Sequence, residues 1–431
     1  MPQRQILGPL RSFLATEAAG GVLAIGGAIA ALVWANVAPH NYASLWSTEI
    51  ALKVGHHVLA LDMKRWVNDG LMAIFFLVVG LEIKRELVQG ELRVLRKATL
   101  PMAAAAGGML VPAALFAIIN SGQATGHGWG VPMATDVALA LGVMALLGRH
   151  IVPASLSLFL LAVAIVDDIG AIVVIAVFYS SGINLAWLGV GAAAVLVTVL
   201  LRYLHVHSIW PYLLLGIMLW FALHEAGVHA TIAGVITGLL APTTAALSPS
   251  NIDQAELLDI ATPKSARGTA ALARHSVSVV ERLEHSLHPI TSFIVVPLFA
   301  LSNAGIRLDH ELFSGVFESH VFWGVVIGLV IGKPVGITLA SWLAVRAGLA
   351  ELPSGVRFVQ VAAVGAVAGI GFTVSLFVAE LAFGQPNYLG QAKFGVLVAS
   401  ISASVLGMAA LRSSARRART TNAHQSSVHV Q

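Results

Sequence analysis

The 431-residue chain is 57% hydrophobic and 11% charged, with a mean hydropathy of +0.84, whereas a soluble chain carries about 25% charged residues. That ratio excludes a water-soluble globule and points to a polytopic membrane protein, while the net charge of +4 is small enough to need no nucleic-acid partner. The absence of cysteine excludes disulfides, thiolate metal sites and cysteine nucleophiles.

A hydrocarbon core about 30 Å thick needs about 17 to 25 apolar residues per helix. Twelve stretches meet or approach that length: residues 14 to 37, 66 to 84, 98 to 119, 125 to 147, 152 to 178, 184 to 201, 209 to 223, 226 to 241, 288 to 306, 321 to 345, 358 to 383 and 390 to 411. The expected fold is therefore an all-α polytopic membrane protein with twelve transmembrane helices. The first stretch is too long for a signal-peptide core and lacks a cleavage site, so it reads as a retained helix. Residues 1 to 13 form a cytoplasmic N-terminus, 14 to 411 the membrane domain and 412 to 431 a basic tail, expected to be disordered and held near anionic headgroups.

Basic residues stay on the cytoplasmic side. With the N-terminus inside, the cytoplasmic segments collect nineteen of the 25 lysines and arginines, and Lys53, Lys64, Arg65, Arg307 and Lys393 fall outside. Both termini are thus expected in the cytoplasm. Between spans 1 and 2, the external loop 38 to 65 alternates in character around Gly55, which suggests a β-hairpin whose edge suits pairing with a second subunit. An irregular loop with a Gly turn is the alternative. A long cytoplasmic loop, 242 to 287, separates spans 8 and 9 and is rich in Ser, Thr, Ala and Pro.

Two spans carry interruptions at depth. Pro132 in Val131-Pro132-Met133-Ala134-Thr135-Asp136 has no backbone N–H, and Gly369 and Gly371 stand mid-way through span 11. Non-helical backbone at that depth survives only where protein or water satisfies it, and paired interruptions point to a midplane binding site built on inverted repeats. The charges follow the same pattern. Asp136 is the lone Asp, Glu, Lys or Arg from Ala98 to Gly148, Asp167 and Asp168 are the only ones from Val152 to Phe178, and Lys333 is alone from Val321 to Val345. A charge at the bilayer centre costs about 2.5–3.5 kcal/mol even on lenient scales, so these four must find one another.

An ion-paired core that only fixes helix packing is one reading, but three carboxylates against one ammonium do not balance. Asp167 and Asp168 are about 100° apart on a helix, yet like charges in low dielectric raise at least one apparent pKa, and the pair titrates jointly. A carboxylate poised near neutrality holds either a proton or a hard cation such as sodium, with the Thr135 hydroxyl and freed carbonyls as further oxygen ligands. Asp136 and Lys333 are each placed to neutralise one set of helix ends, and Lys333 to pair with Asp167 when no cation is bound.

These residues lie in strings that run in order along nearly the whole chain: Val67 to Leu87 with Asp69, Glu82, Arg85 and Glu86; Ala134-Thr135-Asp136; Asp167-Asp168-Ile169-Gly170-Ala171; Gly227-Val228-His229-Ala230-Thr231; Gly332-Lys333-Pro334; and Gly369-Ile370-Gly371-Phe372-Thr373-Val374-Ser375. The set resembles the NhaA family of bacterial sodium/proton antiporters. The resemblance implies inverted repeats, discontinuous helices 4 and 11 crossing near the midplane, and an inner-membrane homodimer. It implies electrogenic, pH-regulated exchange of cytoplasmic sodium or lithium for external protons, with no enzyme activity and no cofactor. Asp167 and Asp168 would bind cation or protons in turn, with Asp136 and Thr135 in support and Lys333 as charge partner. Residues matching the family's pH-response region are Glu82, Arg85 and Glu86 on one helix face, with Glu284, His285 and His288 entering span 9. Solvated helix ends explain both clusters equally well. His229 reads better as a packed histidine than as a ligand. The stretch before span 9, with Asp253, Glu256 and Asp259, departs from the family in its length, which bears on the pH set-point rather than the ion site.

Other chemistries fit less well. His224 and His229 are spaced i, i+5, about 140° apart, whereas an intramembrane zinc protease needs i, i+4. Paired aspartates, Asp136 with Asp168, would suit an aspartyl protease but leave Lys333 unexplained. A channel calls for rings of charge or filter carbonyls, and no phosphate-binding Gly-rich loop with Lys is present to use ATP.

Overall fold

The computed structural model describes residues 3–54, 57–148, 150–180, 182–204, 206, 208–243, 278–353 and 355–428. The turn expected at Gly55 and residues 244–277 of the long loop lie outside these described residues.

Each of the twelve apolar stretches contains helix. In chain order they are α1 (Gln3–Val37), α2 (Met72–Val88), α3 (Leu95–Ile119), a 3-10 segment (Ala124–Met133) followed by α4 (Val137–Leu147), α5 (Ala154–Phe178), α6 (Leu185–Tyr203), α7 (Ile209–Glu225), α8 (Ile232–Leu240), α9 (Val279–Ile290) continuing into α10 (Val296–Asn303), α11 (His320–Ile327) continuing into α12 (Lys333–Arg346), α13 (Phe358–Ala368), α14 (Phe372–Ala382) and α15 (Pro386–Val428). Among the described residues seven spans are long and apolar enough to cross a membrane, or nine when each of two bent pairs counts as one. The other three expected spans correspond to α2, α7 and α8, of 17, 17 and 9 residues. Span 8 is shortened because the chain turns at Gly227, where φ is +75°, and reaches helical winding only at Ile232. The architecture is that of a polytopic all-α membrane protein. Large apolar side chains such as Leu146, Leu110 and Val177 face outward with exposures of 80%, 67% and 65%, as lipid-facing helices require.

Two expectations change. The basic tail is not irregular: α15 continues to Val428, in keeping with the helix propensity of its Ala and Arg residues. The end of the 242 to 287 loop is also helical, because Ser278 opens α9 with a capping box in which its hydroxyl accepts from Glu281 N (3.2 Å) and Glu281 Oε2 accepts from Ser278 N (3.3 Å). The hairpin, in contrast, forms as read. Strands β1 (Glu49–Val54) and β2 (His57–Asp62) pair antiparallel from Glu49↔Asp62 to Val54↔His57.

The chain divides into two compact units. The smaller comprises Asp69–Arg93 and Ser180–Thr291, and in it Leu77 and Leu81 of α2 pack with Val279, Val280 and Leu283 of α9, while Gly234 of α8 seats directly on the α2 backbone at Ala73. The larger comprises Met1–Asn68, Val94–Tyr179 and Ser292–Gln431, and contains the hairpin, both bent helix pairs and α10 to α15. Its tightest seam joins α3 and α12: a Cβ on Gly107 would lie 2.2 Å from Gly336 O, and one on Gly336 would lie 2.1 Å from Gly107 O. Small residues allow such backbone approach where no water-driven force holds helices together.

Gly107→Val places a branched side chain in that seam, and overpacking of this kind costs about 1–3 kcal/mol. Its thermal midpoint in detergent should fall, whereas Gly26→Val, where an added Cβ meets open space, should melt as the parent does. Equal midpoints for the two variants would remove the seam from the account of stability.

Candidate functional site

The two interrupted helices meet at their breaks. The 3-10 segment and α4 are bent by 43° and α13 and α14 by 52°. At the first break Ala134 and Asp136 are extended (φ −80°, ψ 149° and φ −84°, ψ 99°), and Asp136 N donates to Ile370 O of the second break at 2.7 Å. Pro132, which has no N–H to donate, lies in the last turn of the 3-10 segment just before the first break. Gly371 permits the second, since a Cβ there would lie 2.2 Å from Ser375 Oγ, and Gly369 approaches Leu329 O closely.

Each break strands N–H groups and carbonyls, and the other break supplies their partners. One carboxylate caps two helices: Asp136 Oδ1 accepts from Leu139 N of α4 (3.0 Å), and Oδ2 accepts from Thr373 N (3.0 Å) and Thr373 Oγ1 (2.6 Å) at the start of α14. The carbonyls are exchanged between hydroxyls. Ser375 Oγ donates to Val131 O (2.8 Å), and Thr135 Oγ1 lies 3.0 Å from Ala368 O. Of the two roles expected for Lys333, neutralising helix ends and pairing with Asp167, the first falls to other groups. In the structure these two hydroxyls meet the carbonyls.

Lys333 takes up the second expected role and pairs with Asp167. Its Nζ lies 2.5 Å from Asp167 Oδ2 and 2.7 Å from Thr135 Oγ1, and both charged side chains are 1% exposed. Thr135 Oγ1 also lies 2.7 Å from Asp167 Oδ2. Having one proton, the hydroxyl donates either there or to Ala368 O, and it accepts from Lys333. Asp167 Oδ1 is buried and makes no hydrogen bond. Asp168 follows on α5, half-buried and turned round the helix from its neighbour. Lys333 is delivered by a π-helical turn, Gly328–Gly332, in which Gly328 packs on Pro132 and Gly332 on Pro112. The 3-10 segment is tied down by Tyr179, whose Oη donates to His127 O (2.8 Å) and accepts from Gly130 N (3.2 Å). Burial pushes that phenol up to about 12, so it remains a donor throughout the neutral and mildly alkaline range.

The remaining sequence candidates belong to the smaller unit, apart from Gly369 and Gly371. On α2, Arg85 forms an ion pair with Glu284 of α9 and lies 3.8 Å from Glu86, while Glu82 is half-buried. Glu284 is buried at 6% exposure, His288 is half-buried, and His285 is exposed. Asp69 O accepts from Trp220 Nε1 at 2.8 Å, and His229 O accepts from Ile232 N at 3.1 Å as α8 begins. Thr373 and Ser375 were not singled out from sequence, although hydroxyls two residues apart after a Gly-x-Gly break in an apolar span were a readable signal.

The sequence profile of the family described as Na+/H+ antiporter 1 matches residues 11–411. The chain belongs to this family. It is 46% identical over 429 residues to the Na(+)/H(+) antiporter NhaA of Oleidesulfovibrio alaskensis, with 95% of each chain covered. It is 43% identical over 408 residues to the protein of the same name from Escherichia coli O1:K1, covering 94% of this chain and 97% of that one. Among solved structures, the sodium proton antiporter MjNhaP1 of Methanocaldococcus jannaschii at pH 8 shares the fold, with a TM-score of 0.54 at 13% identity over 95% of this chain and 97% of that one. The family resemblance read from the motifs is borne out.

Asp136→Ala removes the acceptor from three donors at once, and the loss should reach about 2 kcal/mol or more. Asp136→Asn retains one acceptor oxygen and should melt between the two. A midpoint for Asp136→Ala equal to that of the parent would rule out the shared cap.

Proposed function

We propose that the chain is a secondary active antiporter that moves sodium or lithium out of the cytoplasm in exchange for external protons, electrogenically and under pH control. The family supports sodium/proton exchange and makes the chain a transporter rather than an enzyme. The setting proposed is a bacterial inner membrane with both termini cytoplasmic, supported by the asymmetry of basic residues. A homodimer is proposed through the hairpin, where Ile50 and Leu52 are 43% and 52% exposed.

The observation that carries the site is the divided state of Asp167. One oxygen is held by Lys333 and Thr135, and the other is buried without a hydrogen bond. A small hard cation is attracted to that open oxygen, with the Thr135 hydroxyl and Asp168 close by as further oxygen donors. Once there, it competes with the Lys333 ammonium and with a proton for one negative charge, so occupancy by one weakens the others. Asp168, the next residue on α5, supplies a second carboxylate beside Asp167. Two protons taken up against one monovalent cation would move net charge. Such competition, in a site open to one side at a time, is exchange. The transported ions and protons are the only ligands this reading requires.

Asp136 is committed to two helix ends, which argues against its serving with Asp168 as a protease dyad. The pH response is assigned to the α2–α9 cluster, where Arg85 bridges Glu284 and Glu86 beside His288. Exposed His285 contributes less.

In everted vesicles with dye-reported proton flux, Asp167→Asn and Asp168→Asn should each abolish sodium- and lithium-driven proton movement. Normal exchange in both would end the assignment. Glu284→Gln leaves Arg85 without its buried partner and should displace the activity–pH curve along the pH axis. A curve superimposable on the parent's would take the pH response away from this cluster.

A further inference from the structure

Lys64 and Lys393 count in the sequence only as basic residues outside the membrane, and Glu380 carries no signal there, yet the three form a second, largely buried ionic cluster in the larger unit. A single oxygen, Glu380 Oε1, lies 2.6 Å from Lys64 Nζ and 2.5 Å from Lys393 Nζ, with side-chain exposures of 12% for Glu380, 29% for Lys64 and 7% for Lys393. Lys64 sits in the turn Met63–Arg65 below the hairpin, and Lys393 in the second turn of α15. Tyr42 is close by, its Oη lying 2.8 Å from Leu301 O and 3.0 Å from Ser302 O, which share its one proton. Burial raises this phenol above its ordinary pKa, and the Glu380 charge acts in the same direction.

The placement of Glu380 on its helix gives the cluster a role. Helix α14 begins at the second break, so the helix before it, α13, does not fix its axial position or rotation. Its first turn carries Thr373, which holds the Asp136 carboxylate through both N–H and hydroxyl. Glu380 lies seven residues further on, two turns along and within about 20° of the same face, roughly 10.5 Å away along the axis. Every residue between them is buried, so this stretch transmits displacement as a rod. Whatever seats Glu380 therefore also sets the depth and rotation of Thr373.

We infer that Glu380, clamped between Lys64 and Lys393, is a positioning residue for the ion site, seating α14 so that Thr373 holds Asp136 in register at the crossed breaks. This rests on the reading of Asp136, Thr135 and Asp167 as that site.

The test compares sodium concentrations for half-maximal exchange in vesicles, with protein amount and thermal midpoint measured alongside. Glu380→Gln should raise the half-maximal concentration about tenfold, the scale of loss seen when a supporting shell around a metal site is removed. Glu380→Gln with Lys393→Met removes the ammonium left unpaired in the single variant. It should recover the thermal midpoint and keep the raised sodium requirement, because the clamp is still missing. Thr373→Val should raise the requirement similarly, and combining it with Glu380→Gln should add little, since both act through one contact. A parent-like sodium requirement in Glu380→Gln overturns the inference. So does its return to the parent value in the Lys393→Met double variant, or a multiplicative effect with Thr373→Val. Asp167→Asn in the same assay separates the two levels: if it exchanges normally, the site assignment itself has failed, and if it is dead while Glu380→Gln behaves as the parent, only the clamp has.

Discussion

Interrupting a helix inside hydrocarbon strands up to four N–H groups and four carbonyls on the two sides of the cut, with no water to receive them. This fold makes two such cuts and brings them together, so that each partly satisfies the other. Asp136 from the first takes N–H groups from both downstream half-helices, while Thr135 and Ser375 each reach a carbonyl on the opposite chain segment. Neither interruption is tenable alone. The polar interior between the breaks is thus a by-product of mutual capping, and the apolar residues Ala134, Ala171 and Val374 cluster beside it.

That arrangement divides labour among the carboxylates. Asp136 is bound to three donors and has structural work to do, whereas Asp167 is held on one oxygen only and Asp168 lies where it is half accessible. The lysine opposite Asp167 arrives on a π-helical turn packed against two prolines, so its position depends on a local rewinding of the backbone rather than on a loop. Sites built on regular elements hold geometry better than sites built on loops.

Much of this was legible in the residues because hydrocarbon penalises charge so heavily. Asp136, Asp167, Asp168 and Lys333 each stand out in an apolar run, and Pro132 with Gly369 and Gly371 marks both breaks. The rest depended on distances that a linear pattern does not encode. Thr373 and Ser375 resemble ordinary membrane-helix hydroxyls until the breaks cross. Nothing in Gly328 to Gly332 distinguishes π from α winding, and this shifts every residue that follows. Lys64 and Lys393 stand out in the sequence only as exceptions to the cytoplasmic bias of basic residues, and nothing in the linear pattern brings them together on Glu380. The tail was misjudged because its polarity suggested an irregular chain, although Ala and Arg favour helix.

The glycine-to-glycine seam has a mechanical corollary. Lys333 stands one turn before Gly336, where α12 and α3 touch main chain to main chain, and Gly108 meets Ile337 beside it. With no side chains there to act as bearings, the two helices form a single stave. Under the proposed exchange, release of the ammonium from its carboxylate requires either that its own four-carbon arm swing or that the whole stave travel together, and the cost of the second course falls on every lipid contact along both helices.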